Sequence, residues 1–247
     1  MVVGEAVFTV VVAAVAAVAA VDMMGRLERS QPAPSGHTDE EPAVEAFEVP
    51  PVVVGVAAAV PCLAAGIRIQ GSLSLPLGLA LAVVLIGVVG LVGTGRGGVA
   101  AALARAALVV AVCGFGGGHA VLLRLQPRGI RLALFLIVAV AFYETAATIF
   151  EMATVQVRPG QNRQAPVAGA VLLFLVGLVF GSVANPPITF GAGVVMGLTI
   201  AVAAATGRAL PALFADERRE GGMEVAAVTT ALFIAAPVAY YVARVVI

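Results

Sequence analysis

The sequence predicts an all-α fold, a polytopic transmembrane bundle of about eight helical spans. Three observations carry that expectation. Hydrophobic residues make up 61% of the 247-residue chain and charged residues 11%, with mean hydropathy +1.08, far outside the range of a soluble domain. The apolar residues fall in runs of about 20 separated by short polar stretches, the length at which a helix crosses a hydrocarbon core of about 30 Å. The alternation of a transmembrane barrel is absent from these runs, and lipid satisfies no backbone polar group, so helices are required. A chain of this length with so many apolar runs forms one membrane domain over residues 1–247 rather than several.

The first run, about 4–24, carries Glu5 and no positively charged leader, which makes it a retained span rather than a signal peptide. The polar insert that follows, "GRLERSQPAPSGHTDEEPAVEAFEVP", is rich in proline and acid and is expected to be a flexible loop over 26–48 with solvated charges, His37 among them. Spans two and three are expected at about 50–68 and 73–94. The proline of "LSLPLGLALAVV" lies near a helix start, where a missing donor is tolerated. Span four, about 99–123, holds Arg105, Cys113 and His119. The glycine clusters "GTGRGG" and "CGFGGGH" follow no strand and hold no phosphate-loop lysine, so they are read as sites of close helix packing. Cys62 and Cys113 show no metal-ligand spacing and are read as small core residues without a disulfide. His119 likewise has no second ligand at a useful spacing. Spans five to eight fall at about 130–153, 166–185, 188–206 and 225–245, with Pro186 and Pro187 of "SVANPPITF" as a tight turn between two of them.

Charge sets the expected orientation. All fourteen basic residues are arginine, which points to a GC-rich bacterial genome, and the net charge is zero, with no basic tail to direct the chain to nucleic acid. Loops 1, 3, 5 and 7 carry eight arginines, and the opposite side carries five: Arg68, Arg124, Arg128, Arg131 and Arg244. The positive-inside rule places loops 5 ("RPGQNRQ") and 7 ("RALPALFADERREGG") in the cytoplasm and both termini outside it, in a multi-pass protein of the bacterial cytoplasmic membrane.

Span five contains the stretch that calls for chemistry, "FYETAATIFEM". Glu144 and Glu151 are two helical turns apart and share a face with Thr148 between them. A charge in a span costs about 2.5–3.5 kcal/mol, so this face should turn into the bundle or a water-filled cavity. Either the carboxylates form a cation or substrate site, or Glu144 stays neutral or pairs with Arg105 on the preceding span.

The surroundings of that stretch resemble the phosphatidate cytidylyltransferases, or CDP-diacylglycerol synthases, over nearly the whole chain. "VDMMGRLERSQ" resembles the family's first cytoplasmic stretch, and "HAVLLRLQPRGIRLALFLIVAVAFYETAATIF" its central block, where Glu144 stands in place of the family's aspartate. "RPGQNRQAPVAGA" lies without gaps on the family's serine-proline-lysine-lysine loop, and "GRALPALFADERREGG" takes the place of its glycine-aspartate stretch. "FIAAPVAYYVAR" is similar to its last helix, and Gly221 and Gly222 stand near its paired glycines. The resemblance implies a CDP-diacylglycerol synthase-like helical bundle acting in phospholipid biosynthesis as a nucleotidyltransferase.

The chain departs from the family where the chemistry resides. Gly160 and Gln161 replace the phosphate-gripping lysines, Gln164 a glutamate, and Arg208 the aspartate after the loop 7 glycine, while Glu224 is the one acid in the place of the closing acidic cluster. Cytidylyl transfer needs a divalent metal, carboxylates that hold it and cations that grip the phosphates. The expectation is therefore a catalytically degenerate relative, a pseudoenzyme that binds a phosphatidate-like membrane lipid or a partner membrane protein, a second copy of itself included. An active enzyme would instead use Glu144, Glu151 and Glu224 to hold Mg²⁺ and Arg158, Arg163 and Arg208 to cradle the phosphates of CTP. A small transporter or channel built on Glu144, Arg105 and a helix break at Asn185–Pro187 is the third expectation, although no internal repeat accompanies it.

Overall fold

The structure, a computed structural model, describes residues 2–29, 47–67, 73–92, 98–153, 165–183, 189–212 and 223–246. Every regular element among them is helical: α1 (Val2–Arg29), α2 (Pro51–Ile67), α3 (Ser74–Val92), α4 (Val99–Val110), a π-helical turn (Ala111–Phe115), α5 (Gly116–Arg124), α6 (Gly129–Ala153), α7 (Ala165–Val183), α8 (Phe190–Ala212) and α9 (Met223–Val246). The π turn joins α4 and α5 into one apolar helix, Val99–Arg124. Helical stretches thus stand at all eight predicted positions.

Six of them are long and apolar enough to cross a membrane: Gly4–Glu28, Ser74–Val92, Val99–Arg124, Gly129–Phe150, Phe190–Arg208 and Val228–Val245. The chain is a multi-pass membrane protein. Pro51–Ile67 is apolar but shorter, and its 17 residues of α-helix extend about 26 Å, just under the thickness of a hydrocarbon core; α7 is also apolar, with side chains described over Val167–Val179. Valines and leucines lie on the outside of α2, α3 and α8, Val52, Leu91 and Val202 among them, as expected where lipid is the solvent.

The fold divides into two compact units. The first holds α1 to α4, the π turn and the start of α5 as far as Gly118. Within it α2 packs against both α1 and α3, and the π turn packs on α2. Local chemistry explains these elements. Pro51 opens α2 at the position where a proline's fixed φ suits the helix and its missing N–H is not needed. Gly98 precedes α4 at φ 71°, a conformation that side chains disfavour, and its carbonyl accepts the first bond of the helix from Ala102 at 3.0 Å. Pro61, inside α2, deprives one carbonyl of its donor. The π turn faces that irregularity, with Gly114 so close that a Cβ there would lie 3.0 Å from Pro61 Cγ and 3.1 Å from Ala58 O. The Cys62 thiol donates weakly to the carbonyls of Ala58, at 3.6 Å, and Gly114, at 3.8 Å. Cys62 and Cys113 are free thiols in this packed region.

The second unit begins at His119 and contains α6 to α9. Here α7 packs on α6 and α8, while α9 packs on α8 and α6, which closes the four helices around buried Phe135, Tyr143, Leu173, Met196 and Phe233. The turn between α5 and α6 is tight: Arg128 adopts φ 59°, Gly129 N donates to Gln126 O at 2.8 Å, and a Cβ on Gly129 would collide with Arg124 O. α1 runs to Arg29, four residues into the predicted loop 26–48, while Phe47 and Val49 at its other end are buried. The intervening residues 30–46 lie outside the described ones.

Candidate functional site

The polar centre of the second unit is built by α6 and α8. Tyr143 and Glu144 follow one another on the buried side of α6, with relative exposures of 0% and 5%. Two glycines set the packing around them. A Cβ on Gly169 of α7 would lie 2.7 Å from the Tyr143 ring, so α7 approaches α6 closely at the phenol. On α8, a Cβ on Gly207 would stand 2.5 Å from Ala231 Cα, so α8 and α9 touch backbone to backbone beside Arg208. Arg208, the last residue of the apolar stretch of α8, reaches Glu144, and its Nη1 donates to Glu144 Oε2. The two side chains retain 17% and 6% exposure respectively.

This pairing has a plain electrostatic cause. A single carboxylate or guanidinium at membrane depth costs several kcal/mol, and a charge-assisted hydrogen bond between the two makes the site neutral as a whole. The guanidinium is the more accessible partner, so a second anion approaching the pair would meet Arg208 first. The sequence offered Arg105 as the intramembrane partner of Glu144; the partner found in this unit is Arg208, sixty-four positions away in the chain.

The other predicted site residues stand as follows. Glu151 lies in the last turn of α6 and Glu224 in the first turn of α9, and the described structure does not extend to their side chains. Arg158 and Arg163 lie outside the described residues. Among the described residues, no group of three or more His, Cys, Asp or Glu converges on a point where it could hold a metal ion. Glu144 is the one predicted metal ligand with a described side chain, and it already holds a guanidinium. The described side chains thus place one of the three predicted ligands, Glu144, with Arg208 on one of its two carboxylate oxygens.

A second cluster in this unit was not predicted. His119, 1% exposed, lies against the rings of Tyr240 and Tyr241 of α9, each with its centroid 5.4 Å away, and the Arg244 guanidinium sits 5.9 Å from the Tyr240 centroid. His119 shows no partner at ligand spacing along the chain, but the "YYVAR" end of the last span carried the signal. A tyrosine and an arginine four residues apart share a helix face, and aromatics concentrate at membrane boundaries.

No protein-family model, no curated protein and no solved structure matches the chain.

Proposed function

We propose that the chain is a catalytically degenerate relative of the CDP-diacylglycerol synthases that binds a phosphatidate-like lipid at the Arg208–Glu144 pair, in the bacterial cytoplasmic membrane, with eight spans and loops 5 and 7 in the cytoplasm. The buried ion pair carries the proposal. In the resemblance, Glu144 and Arg208 stand where the family has two aspartates, carboxylates that would need a divalent cation between them. Here one of those positions supplies the positive charge itself, and the pair is complete without metal or nucleotide.

The same geometry supports lipid binding. Arg208 is the more exposed partner and ends the apolar part of α8, at the depth where a hydrocarbon core gives way to headgroups. A guanidinium presents a planar fork of donors that matches phosphate oxygens. A monoester phosphate competes with Glu144 for those donors while its acyl chains stay in lipid.

The test is CDP-diacylglycerol formation by the purified protein from CTP, phosphatidate and Mg²⁺, beside Glu144→Ala and an active family member. No turnover is expected in the wild type while the control is active. Phosphatidate binding in lipid nanodiscs should weaken roughly tenfold or more in Arg208→Gln. Turnover by the wild type that Glu144→Ala abolishes would replace this proposal with an active transferase.

A further inference from the structure

An open groove of about 460 Å³ runs between the end of α1 and the start of α2. Val18 and Val21 form one wall and Val52 and Val56 the other, and Asp22 closes one end. Its floor is Gly55, where a Cβ would lie 2.8 Å from Val21 Cγ2 and 3.0 Å from Ala17 O, so any larger residue would part the two helices. Val18 and Val52 are each 70% exposed, so the walls face outward rather than into the protein.

The charged end of the groove adds what an apolar surface alone lacks. Asp22 and Arg26 form an ion pair one turn apart on α1, with Arg26 Nε donating to Asp22 Oδ2 at 2.8 Å and both side chains about a third exposed. By itself such a pair contributes little to stability. Its depth makes it informative. α1 is 28 residues long, about 42 Å, and so overshoots a hydrocarbon core of about 30 Å; its charged last turns belong in the headgroup layer. The groove is thus apolar along its length and ends on Asp22, with Arg26 paired to that carboxylate just beyond the lining, an anion beside a cation at headgroup height that matches the polarity profile of one zwitterionic phospholipid.

We propose that this groove holds a single phosphoethanolamine-type phospholipid from the bilayer. Part of an acyl chain lies between the valine walls, the phosphate meets the Arg26 guanidinium, and the ammonium meets the Asp22 carboxylate. A purely anionic headgroup would bring its charge against Asp22. A second protein helix in the groove would fill the apolar part but strip water from Asp22 and Arg26 without replacing it, a cost that disfavours that occupant. The proposal is independent of the Arg208–Glu144 reading, because it involves other residues in the other unit.

The protein contains no tryptophan, so one introduced residue reports alone. The full chain carrying Val18→Trp is placed in nanodiscs containing a small, increasing fraction of phosphatidylethanolamine brominated on its acyl chains. Leu81→Trp, on the outside of α3, serves as the bulk-lipid control. Half-maximal quenching of the groove fluorophore is expected at a lipid fraction roughly 2- to 5-fold below that of the control, the range an exposed charge pair supplies. Adding Asp22→Asn and Arg26→Gln should return it to the control value, and brominated phosphatidylglycerol should show no advantage. If Val18→Trp does not fold, Val52→Trp reports from the opposite wall. Equal quenching at both positions, an advantage that survives loss of both charges, or a preference for phosphatidylglycerol would overturn the proposal. So would a fluorophore shielded from every brominated lipid, since that would mean that protein covers the groove.

Discussion

The Glu144–Arg208 pair makes a quantitative demand on stability. The substitutions are Glu144→Gln, Arg208→Gln and both together, which keep much of the side-chain volume while removing charge. Both side chains are largely withdrawn from solvent, Glu144 at 6% and Arg208 at 17%. Removing one partner of a fully buried pair costs about 3–5 kcal/mol, because the survivor is left charged without its counter-ion. Arg208 retains some exposure and a long stem that can carry its charge toward the headgroups, which lowers the figure here to about 2–4 kcal/mol for either single change. For a chain of this size that corresponds to melting temperatures roughly 4–16 °C lower. The double variant buries no uncompensated charge and should cost no more than either single change, a coupling of at least about 2–4 kcal/mol. Thermal unfolding of the purified protein in one detergent, followed by retention of the monodisperse peak, measures all four corners of the cycle. If the double variant loses as much as the two single variants added together, the residues do not interact and the site proposed here loses its foundation.

Two further outcomes follow from the packing. Gly207→Ala places a methyl group 2.5 Å from Ala231 Cα, so α8 and α9 must separate; the expected cost is about 1–3 kcal/mol in the same unfolding assay, and an unchanged melting temperature would contradict the close approach. Cys62 and Cys113, exposed by 0% and 2%, should resist a maleimide in the folded protein and react after denaturation in SDS, as read by mass; rapid modification of the folded state would show that the interface of α2 with the π turn opens readily.

Much of the fold was legible because its causes are local and one-dimensional. A run of about 20 apolar residues must be helical in lipid, and all eight runs coincide with helical stretches. Pro51 marks a helix start on sight. Less visible was the continuation of α1 through Gly25 to Arg29, a polar stretch that no proline interrupts. The π turn was not legible at all. It packs with Gly114 against Pro61 of another helix, and no periodicity within "AVCGFGGGH" encodes that neighbour.

The candidate site divides in the same way. The cost of charge in lipid singled out Glu144 as a residue that must face inward and find compensation, and that reasoning needed only hydropathy. Which arginine compensates it is a question of helix order around the bundle. Span adjacency in sequence offered Arg105 as one alternative, and the packing of α6 on α8 brings up Arg208, with Gly207 against Ala231 where α8 meets α9. His119 passed as a bystander for a similar reason, since its neighbours Tyr240 and Tyr241 belong to the last helix of the chain.

By itself, then, the sequence determined the solvent of this protein, the positions of its helices and the need for the Glu144 carboxylate to be compensated. These follow from transfer free energies and backbone hydrogen bonding, which act on each segment separately. Tertiary structure alone decided which helix faces meet. It joined Glu144 to Arg208, set Pro61 against the π turn, enclosed His119 in tyrosines and opened a groove between α1 and α2. Lipid drives every apolar span into the membrane alike, and only the fit of small residues against particular neighbours chooses among the ways of packing them.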